Sequence, residues 1–196
     1  VAFRKAFRAA AAGDRPRLSA SLHSPSLVST KDNILMHLNG FNPLHIAARK
    51  GHDEVIRELL EFNSSLLLSR TEDGRNAYML SALEGRLETF KLLLSYSSDM
   101  KRDLMESDSN GNTVIHMAAW AGHINIIEYC LNELHIDNVL TTNMEGLLPQ
   151  QYAAAHNNVE ILQLLTKMGE KSSSRADSQT KNNESNSSGS TIDADK

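Results

Sequence analysis

The stretch Gly111-Asn-Thr-Val-Ile-His-Met-Ala-Ala-Trp-Ala-Gly122-His123 decides the fold of this 196-residue chain, because the chain repeats it. A second clear copy is Gly40-Phe-Asn-Pro-Leu-His-Ile-Ala-Ala-Arg-Lys-Gly51-His52, and two weaker copies run from Gly74 to Gly85 and from Gly146 to Asn157. The four leading glycines follow one another at intervals of 34, 37 and 35 residues. A fixed period in this range is typical of solenoids, in which each repeat is one supersecondary unit stacked on its neighbours.

Each copy predicts a turn, a short helix, a reversal and a second helix. A pair of small residues in the first helix lets a neighbouring helix approach closely. Glycine or asparagine then ends that helix, because these residues tolerate the left-handed conformation that the reversal needs. The second helix carries apolar residues at helical spacing, as in Val55, Ile56, Leu59 and Leu60. The small pairs are Ala47-Ala48, Ser81-Ala82, Ala118-Ala119 and Ala153-Ala154.

These features resemble the ankyrin repeat, whose signature is Thr-Pro-Leu-His-x-Ala. The matching segments are Asn42-Pro43-Leu44-His45-Ile46-Ala47 and Thr113-Val114-Ile115-His116-Met117-Ala118, and the Gly-His pairs Gly51-His52 and Gly122-His123 fit as well. The resemblance covers residues 40–170. It implies an all-α, ankyrin-type helical solenoid with β-turn fingers, in which the signature histidines bond backbone groups of neighbouring turns.

The period divides the chain into four repeats, residues 40–73, 74–110, 111–145 and 146–170. Residues 1–39 are predicted to hold a diverged N-terminal repeat and a connection, because Ala9-Ala10-x-x-Gly13 keeps the spacing of the later copies. Residues 171–196 are rich in Ser and Asn with almost nothing to bury, which predicts a disordered tail.

Two departures from the period produce local expectations. Asn76-Ala77-Tyr78-Met79 lacks the signature Pro and His, so we expect that repeat to be looser. The longest connection, Ser95–Asn110, contains Met100–Met105, which we expect to form an extra helical turn. Insertions of this kind usually lie on one face of a solenoid, where they can touch a partner.

Composition argues against several functional classes. The net charge is −4 with dispersed basic residues, which disfavours nucleic acid, and no apolar run approaches the ~20 residues of a membrane span. The only cysteine, Cys130, lies on an apolar helix face, where a buried small hydrophobe is the expected role. None of the eight histidines has zinc-site spacing, so we expect no enzyme, cofactor or metal. The presence of a single cysteine fits a chain in a reduced, intracellular and cytoplasmic setting.

By the resemblance, a partner contacts the residues flanking each leading glycine and the two residues after each small pair. Trp120, the only tryptophan, is predicted to anchor that partner, although it could instead pack on the adjacent repeat. Met144, near the leading glycine Gly146, is another residue that this resemblance places at a finger, in contact with the partner. Three basic residues in the set suggest an acidic partner motif, and four apolar ones suggest a strip along the concave face. The candidates are Phe41, Arg49, Lys50, Arg75, Leu83, Glu84, Asn112, Trp120, Ala121, Leu147 and His156.

The predicted function is therefore binding of a protein or peptide in the concave groove by a monomeric chain. The alternative is a structural spacer or self-associating scaffold within a larger protein. The chain begins with Val1 rather than Met, so we expect a fragment or a processed product.

Overall fold

The structure is a computed structural model that describes residues 2–24, 40–134 and 141–170. These segments contain helices and turns and no β-strand. The first helix pair is α1 (Ala2–Ala12) with α2 (Arg15–Leu22), and the second is α3 (Pro43–Lys50) with α4 (Asp53–Phe62). A 3-10 helix, Ser64–Leu68, follows α4. The remaining helices are α5 (Ala77–Leu83), α6 (Leu87–Ser95), α7 (Met100–Met105), α8 (Val114–Ala121), α9 (Ile124–Glu128, extended by a π-helical turn, Tyr129–Glu133), α10 (Pro149–Ala155) and α11 (residues 159–170).

The helices stack in two rows, as a solenoid requires. The first helices of the pairs pack side by side in the order α1, α3, α5, α8 and α10, and the second helices α2, α4, α6 and α9 form the other row. The small residues Ala48, Ala82 and Ala119 are fully buried between neighbours. One apolar core runs through the stack from Ala6 to Leu165. The predicted all-α solenoid is confirmed.

Tight turns between the repeats form the predicted fingers. In one of them the Thr71 amide donates to the Arg75 carbonyl (2.8 Å) and the Gly74 amide to the Thr71 carbonyl (2.9 Å). Adjacent fingers are hydrogen-bonded to each other, because the Ser109 amide donates to the Asp73 carbonyl over 2.9 Å. The fingers therefore join the repeats through main-chain bonds that do not depend on side-chain identity.

The signature histidines bond the backbone at both ring nitrogens, as expected. In His116, Nδ1 accepts from the Thr113 amide (3.1 Å), which leaves the proton on Nε2 to be donated to the Leu147 carbonyl (3.2 Å). His45 does the same between Asn42 and Ser69. Each ring thus joins the start of one helix to the connection that leads into the next repeat.

The repeat without the signature histidine is held by a different set of side-chain contacts. Asn76 caps α5 through the Met79 amide (3.0 Å) and donates to Glu106 (3.2 Å). The buried Tyr78 hydroxyl donates to Asp103 over 3.2 Å. Burial, and then the nearby Asp103 carboxylate, raise the pKa of Tyr78, which therefore stays a donor. The insertion after α6 supplies the acids that replace the missing histidine.

The glycine that ends each of the helices α1, α3, α5 and α8 lies under a side chain of the next repeat. Gly85 has a φ of 65°, and a Cβ added there would lie 2.5 Å from Nδ1 of His123. The His123 ring also contacts the Leu83 carbonyl over 3.2 Å, at the end of α5. The histidine of each Gly-His pair thus covers the helix-ending glycine of the repeat before it: His52 covers Gly13, and His123 covers Gly85.

Three further expectations have different outcomes. Residues 100–105 form the expected extra helix α7. Cys130 is fully buried, as expected, and burial raises the pKa of its thiol to about 12. The predicted tail, residues 171–196, lies outside the described residues, as do residues 25–39 and 135–140.

Replacing Gly85 by Ala should destabilise the fold more than replacing Gly146. Both glycines have positive φ (65° and 77°), which costs an L-residue about 1–2 kcal/mol. A Cβ at Gly146 meets nothing within 4 Å, whereas at Gly85 it overlaps the His123 ring. We expect Gly85→Ala to lose roughly 1–3 kcal/mol beyond the loss in Gly146→Ala. Urea unfolding of both variants measures this difference, and equal losses would contradict the contact described above.

Stability should also fall at acid pH because of His116. Burial lowers its pKa in the folded chain below the usual 6.5, while the Leu147 carbonyl opposes this shift. Between the two values the unfolded chain binds a proton that the folded chain does not, so the free energy of unfolding decreases as pH drops below about 6.5. The slope from this one group reaches at most about 1.4 kcal/mol per pH unit.

Urea unfolding of the wild type and His116→Asn at pH 7.5 and 5.5 isolates the contribution of this ring. The variant starts less stable, because two backbone bonds are lost, but it should lose less stability between the two pH values. An NMR titration in which the folded His116 ring has a higher midpoint than in the urea-unfolded chain would disprove the assignment.

Candidate partner-binding groove

Stacking of the first helices aligns their C-terminal ends from repeat to repeat. The two residues after the small pair therefore form two lines across the solenoid, next to the residues that flank the leading glycines. We call this combined surface the groove. One line consists of Arg49, Leu83, Trp120 and Ala155, and the other consists of Lys50, Glu84, Ala121 and His156.

Trp120 stands near the middle of the groove and is 46% exposed. Its ring meets the edge of the His156 ring at a centroid distance of 5.3 Å. The His156 Nδ1 lies 3.1 Å from the Tyr152 carbonyl, so that the ring is oriented by its own helix. Trp120 thus packs partly on the next repeat and still presents about half of its surface to solvent.

The three basic residues of the groove do not form a cluster of unpaired cations. The expectation of an acidic partner motif rested on such a cluster, and this basis is therefore corrected. Arg49 pairs with Glu84 over 3.1 Å, and this pair joins two of the predicted residues. Arg75 lies 3.6 Å from Asp73 and 3.8 Å from the buried Asp108. Among the described residues, Lys50 alone of the three basic candidates has no ion pair.

The predicted apolar strip is less exposed than its residue types suggest. Leu83 packs against the core, and its carbonyl contacts His123. Phe41 is half-buried and lies edge-on to His45, 6.1 Å between ring centroids. Leu147 and Ala121 are also half-buried. At the fingers, Met144 is mostly exposed.

Asn112, which flanks the leading glycine Gly111, makes side-chain contacts within the protein. Its amide nitrogen donates to Asp108 (3.3 Å), and its oxygen accepts from the Asn143 amide (3.0 Å). The same Asn143 nitrogen donates to the Tyr152 hydroxyl (3.0 Å). The candidate partner residue Asn112 thus also has a structural role, because its side chain connects two adjacent fingers.

Sequence reasoning missed the strongly exposed apolar residue Leu68, which is 72% exposed. The run Leu66-Leu67-Leu68 reads as uniformly apolar, but a 3-10 helix buries the first two and turns the third outward. No local signal distinguishes the third leucine.

The described residues contain no group of three or more His, Cys, Asp or Glu side chains placed to hold a metal ion. No helix in these segments has the length and apolar character needed to cross a membrane.

Comparison with known proteins agrees with the fold. Residues 7–103 and 101–177 match the family model for ankyrin repeats (3 copies). Human transient receptor potential cation channel subfamily A member 1 is 34% identical over 119 residues, which cover 61% of this chain and 10% of the channel. The mouse protein fem-1 homolog A-like is 34% identical over 119 residues, covering 60% of this chain and 17% of that protein.

Human ankyrin repeat domain-containing protein 63 is 34% identical over 116 residues, covering 57% of this chain and 28% of that protein. The chain thus spans less than a third of the length of each of these three relatives. The family match covers most of the chain, and the stacked helix pairs, fingers and signature histidines agree with it. The chain therefore belongs to the ankyrin repeat family.

Proposed function

We propose that this chain is a protein–protein interaction module that binds a partner protein or peptide segment in the groove. Ankyrin repeats are generally non-enzymatic modules for protein binding, which supports the class of function. The observation that carries the proposal is the half-exposed Trp120 between two repeats. Tryptophan is enriched among residues that dominate binding energy, and a solenoid surface presents it without folding on contact.

The groove's charges can adapt to such a partner. The Arg49–Glu84 pair is exposed on both sides, and pairs of this kind contribute about 0–1 kcal/mol to stability. A partner carboxylate can therefore compete for Arg49, and the Lys50 ammonium can donate to another carboxylate directly. The binding role of the remaining predicted residues follows from their places along the same two lines and at the fingers.

We also propose the repeat boundaries 40–73, 74–110, 111–145 and 146–170, preceded by a diverged first repeat. Packing of α1 on α3 and of α2 on α4 supports counting the first helix pair as a repeat. The Arg15 side chain contacts Glu54 and Glu58 of α4, each over 3.4 Å. An intracellular, cytoplasmic setting, without nucleic acid or cofactor, is part of the same proposal.

Replacing Trp120 by Ala should strongly weaken binding of the principal partner, with little effect on folding. Partners recovered by affinity capture with the wild-type chain, and identified by mass spectrometry, should be depleted by about tenfold or more for Trp120→Ala, because a hot-spot truncation costs roughly 2 kcal/mol. The matched control is Val159→Ala, which truncates another exposed apolar side chain at the start of α11.

Two results would reject the groove proposal. One is undiminished capture of every partner by Trp120→Ala. The other is equal depletion by Trp120→Ala and Val159→Ala, which would indicate general loss of surface hydrophobicity rather than a located site.

The second candidate function is a spacer or self-associating scaffold. The short span of this chain relative to its relatives favours it. We expect a monomer of 21.7 kDa by size exclusion with light scattering, because the described apolar residues are largely satisfied within the stack. A dimer mass that Val159→Asp returns to the monomer would favour the scaffold, since Val159 is exposed at the last helix pair.

A further inference from the structure

The charge that the insertion helix α7 exposes to solvent differs from the charge that its composition indicates. Residues 101–106 contain two basic and two acidic side chains, Lys101, Arg102, Asp103 and Glu106. The two acids turn toward the repeats, and the two cations are exposed. Neither Lys101 nor Arg102 forms an ion pair with any of the described residues. The outer side of this neutral segment is therefore positive.

Both acids are held by several bonds. Asp103 accepts from the Tyr78 hydroxyl (3.2 Å) and from the Ser97 hydroxyl (2.6 Å). Glu106 pairs with Arg70 over 2.8 Å and accepts from the Asn76 amide over 3.2 Å. These bonds fix α7 in place before any partner arrives, so that binding does not have to order it.

The insertion and the turn before it also expose three apolar side chains. Met100 is 44% exposed and Met105 is 37% exposed, while Leu104 is the residue of α7 that enters the core. Leu68 occupies the same repeat position as Met105, six residues before the leading glycine. It lies two residues before Arg70, whose guanidinium contacts Glu106 and the Ser107 carbonyl (2.9 Å). Leu68 and Met105 thus belong to neighbouring turns joined by Arg70.

We propose that Leu68, Met100, Met105, Lys101 and Arg102 form a second protein-binding surface, separate from the groove, for an acidic amphipathic segment. Its apolar side chains would cover Leu68 and the two methionines, and its carboxylates would pair with Lys101 and Arg102. Methionine side chains adapt to irregular apolar partners and are enriched in interfaces. We call these five residues the insertion surface.

The charges of the chain favour a protein segment over an anionic membrane as the occupant of the insertion surface. Each basic residue near an anionic bilayer contributes only about 1 kcal/mol, and two residues give weak attraction. The chain as a whole carries a net charge of −4, and the exposed Asp99 caps the N-terminus of α7. A peptide carboxylate can approach the two cations without bringing a negatively charged plane against the remaining acids.

The test uses the whole chain and a phage-displayed library of random peptides. Selected peptides should combine carboxylates with large apolar residues. They should bind Lys101→Glu/Arg102→Glu at least about tenfold more weakly than wild type, because attraction is replaced by repulsion. Leu68→Ser/Met105→Ser should weaken the same peptides. If the charge-reversed variant does not fold, as judged by circular dichroism, Lys101→Gln/Arg102→Gln replaces it.

Two controls locate the effect. Lys5→Glu/Lys167→Glu changes the net charge by the same amount at exposed positions on α1 and α11, and it should retain binding. Trp120→Ala should also retain binding of these peptides, which separates the insertion surface from the groove. Loss of peptide binding in Trp120→Ala alone would overturn this proposal and support the groove.

The remaining outcomes also overturn the proposal. They are selection of no peptides, selection of basic peptides, or equal weakening by the two charge-reversed pairs. Binding to phosphatidylcholine vesicles containing phosphatidylserine, lost in Lys101→Glu/Arg102→Glu, would identify a membrane site instead. A dimer mass in light scattering that Leu68→Ser/Met105→Ser abolishes would identify a second copy of the chain as the occupant.

Discussion

The contact between a helix-ending glycine and the side chain that the next repeat places on it holds this solenoid in register. The glycine must adopt positive φ to reverse the chain, and the neighbouring side chain fills the space that a Cβ would need. The covering residue changes from repeat to repeat, whereas the glycine does not. Position and volume therefore matter more here than the chemistry of the covering group. The four contacts are Gly13 with His52, Gly51 with Arg86, Gly85 with His123 and Gly122 with Asn158.

This constraint explains why the fold could be predicted from sequence. Glycines, small pairs and signature histidines recur with a fixed period, because each repeat must present the same surfaces to both neighbours. The repeat that lost its histidine shows the limit of this reasoning. Tyr78 and Asn76 find their partners at Asp103 and Glu106, in a connection whose path no local pattern specifies. Compensation between distant residues is visible only once the chain is folded.

Less of the candidate groove than of the fold could be predicted from the sequence, because contacts between distant residues again decide its details. Register alone places Trp120 and His156 at adjacent positions, and the structure brings their rings together. Register does not reveal charge pairing. Arg49 and Arg75 read as free cations in the sequence, yet acids of a neighbouring repeat or finger contact both. Asn112 likewise is predicted as a partner contact from its position, yet its side chain connects two fingers through Asn143.

The two proposed surfaces differ in how firmly their charges are fixed, and this difference affects the partners that each can select. In the groove, exposed pairs such as Arg49–Glu84 can rearrange for about 1 kcal/mol or less, so that the groove can accommodate partners of different charge around one apolar anchor. Beneath the insertion surface, Asp103 and Glu106 are each tied inward by two contacts, so neither of these acids is free to neutralise Lys101 and Arg102. A fixed charge pattern repels the wrong partner as well as attracting the right one. We therefore expect selectivity by charge at the insertion surface and selectivity by shape around Trp120 in the groove.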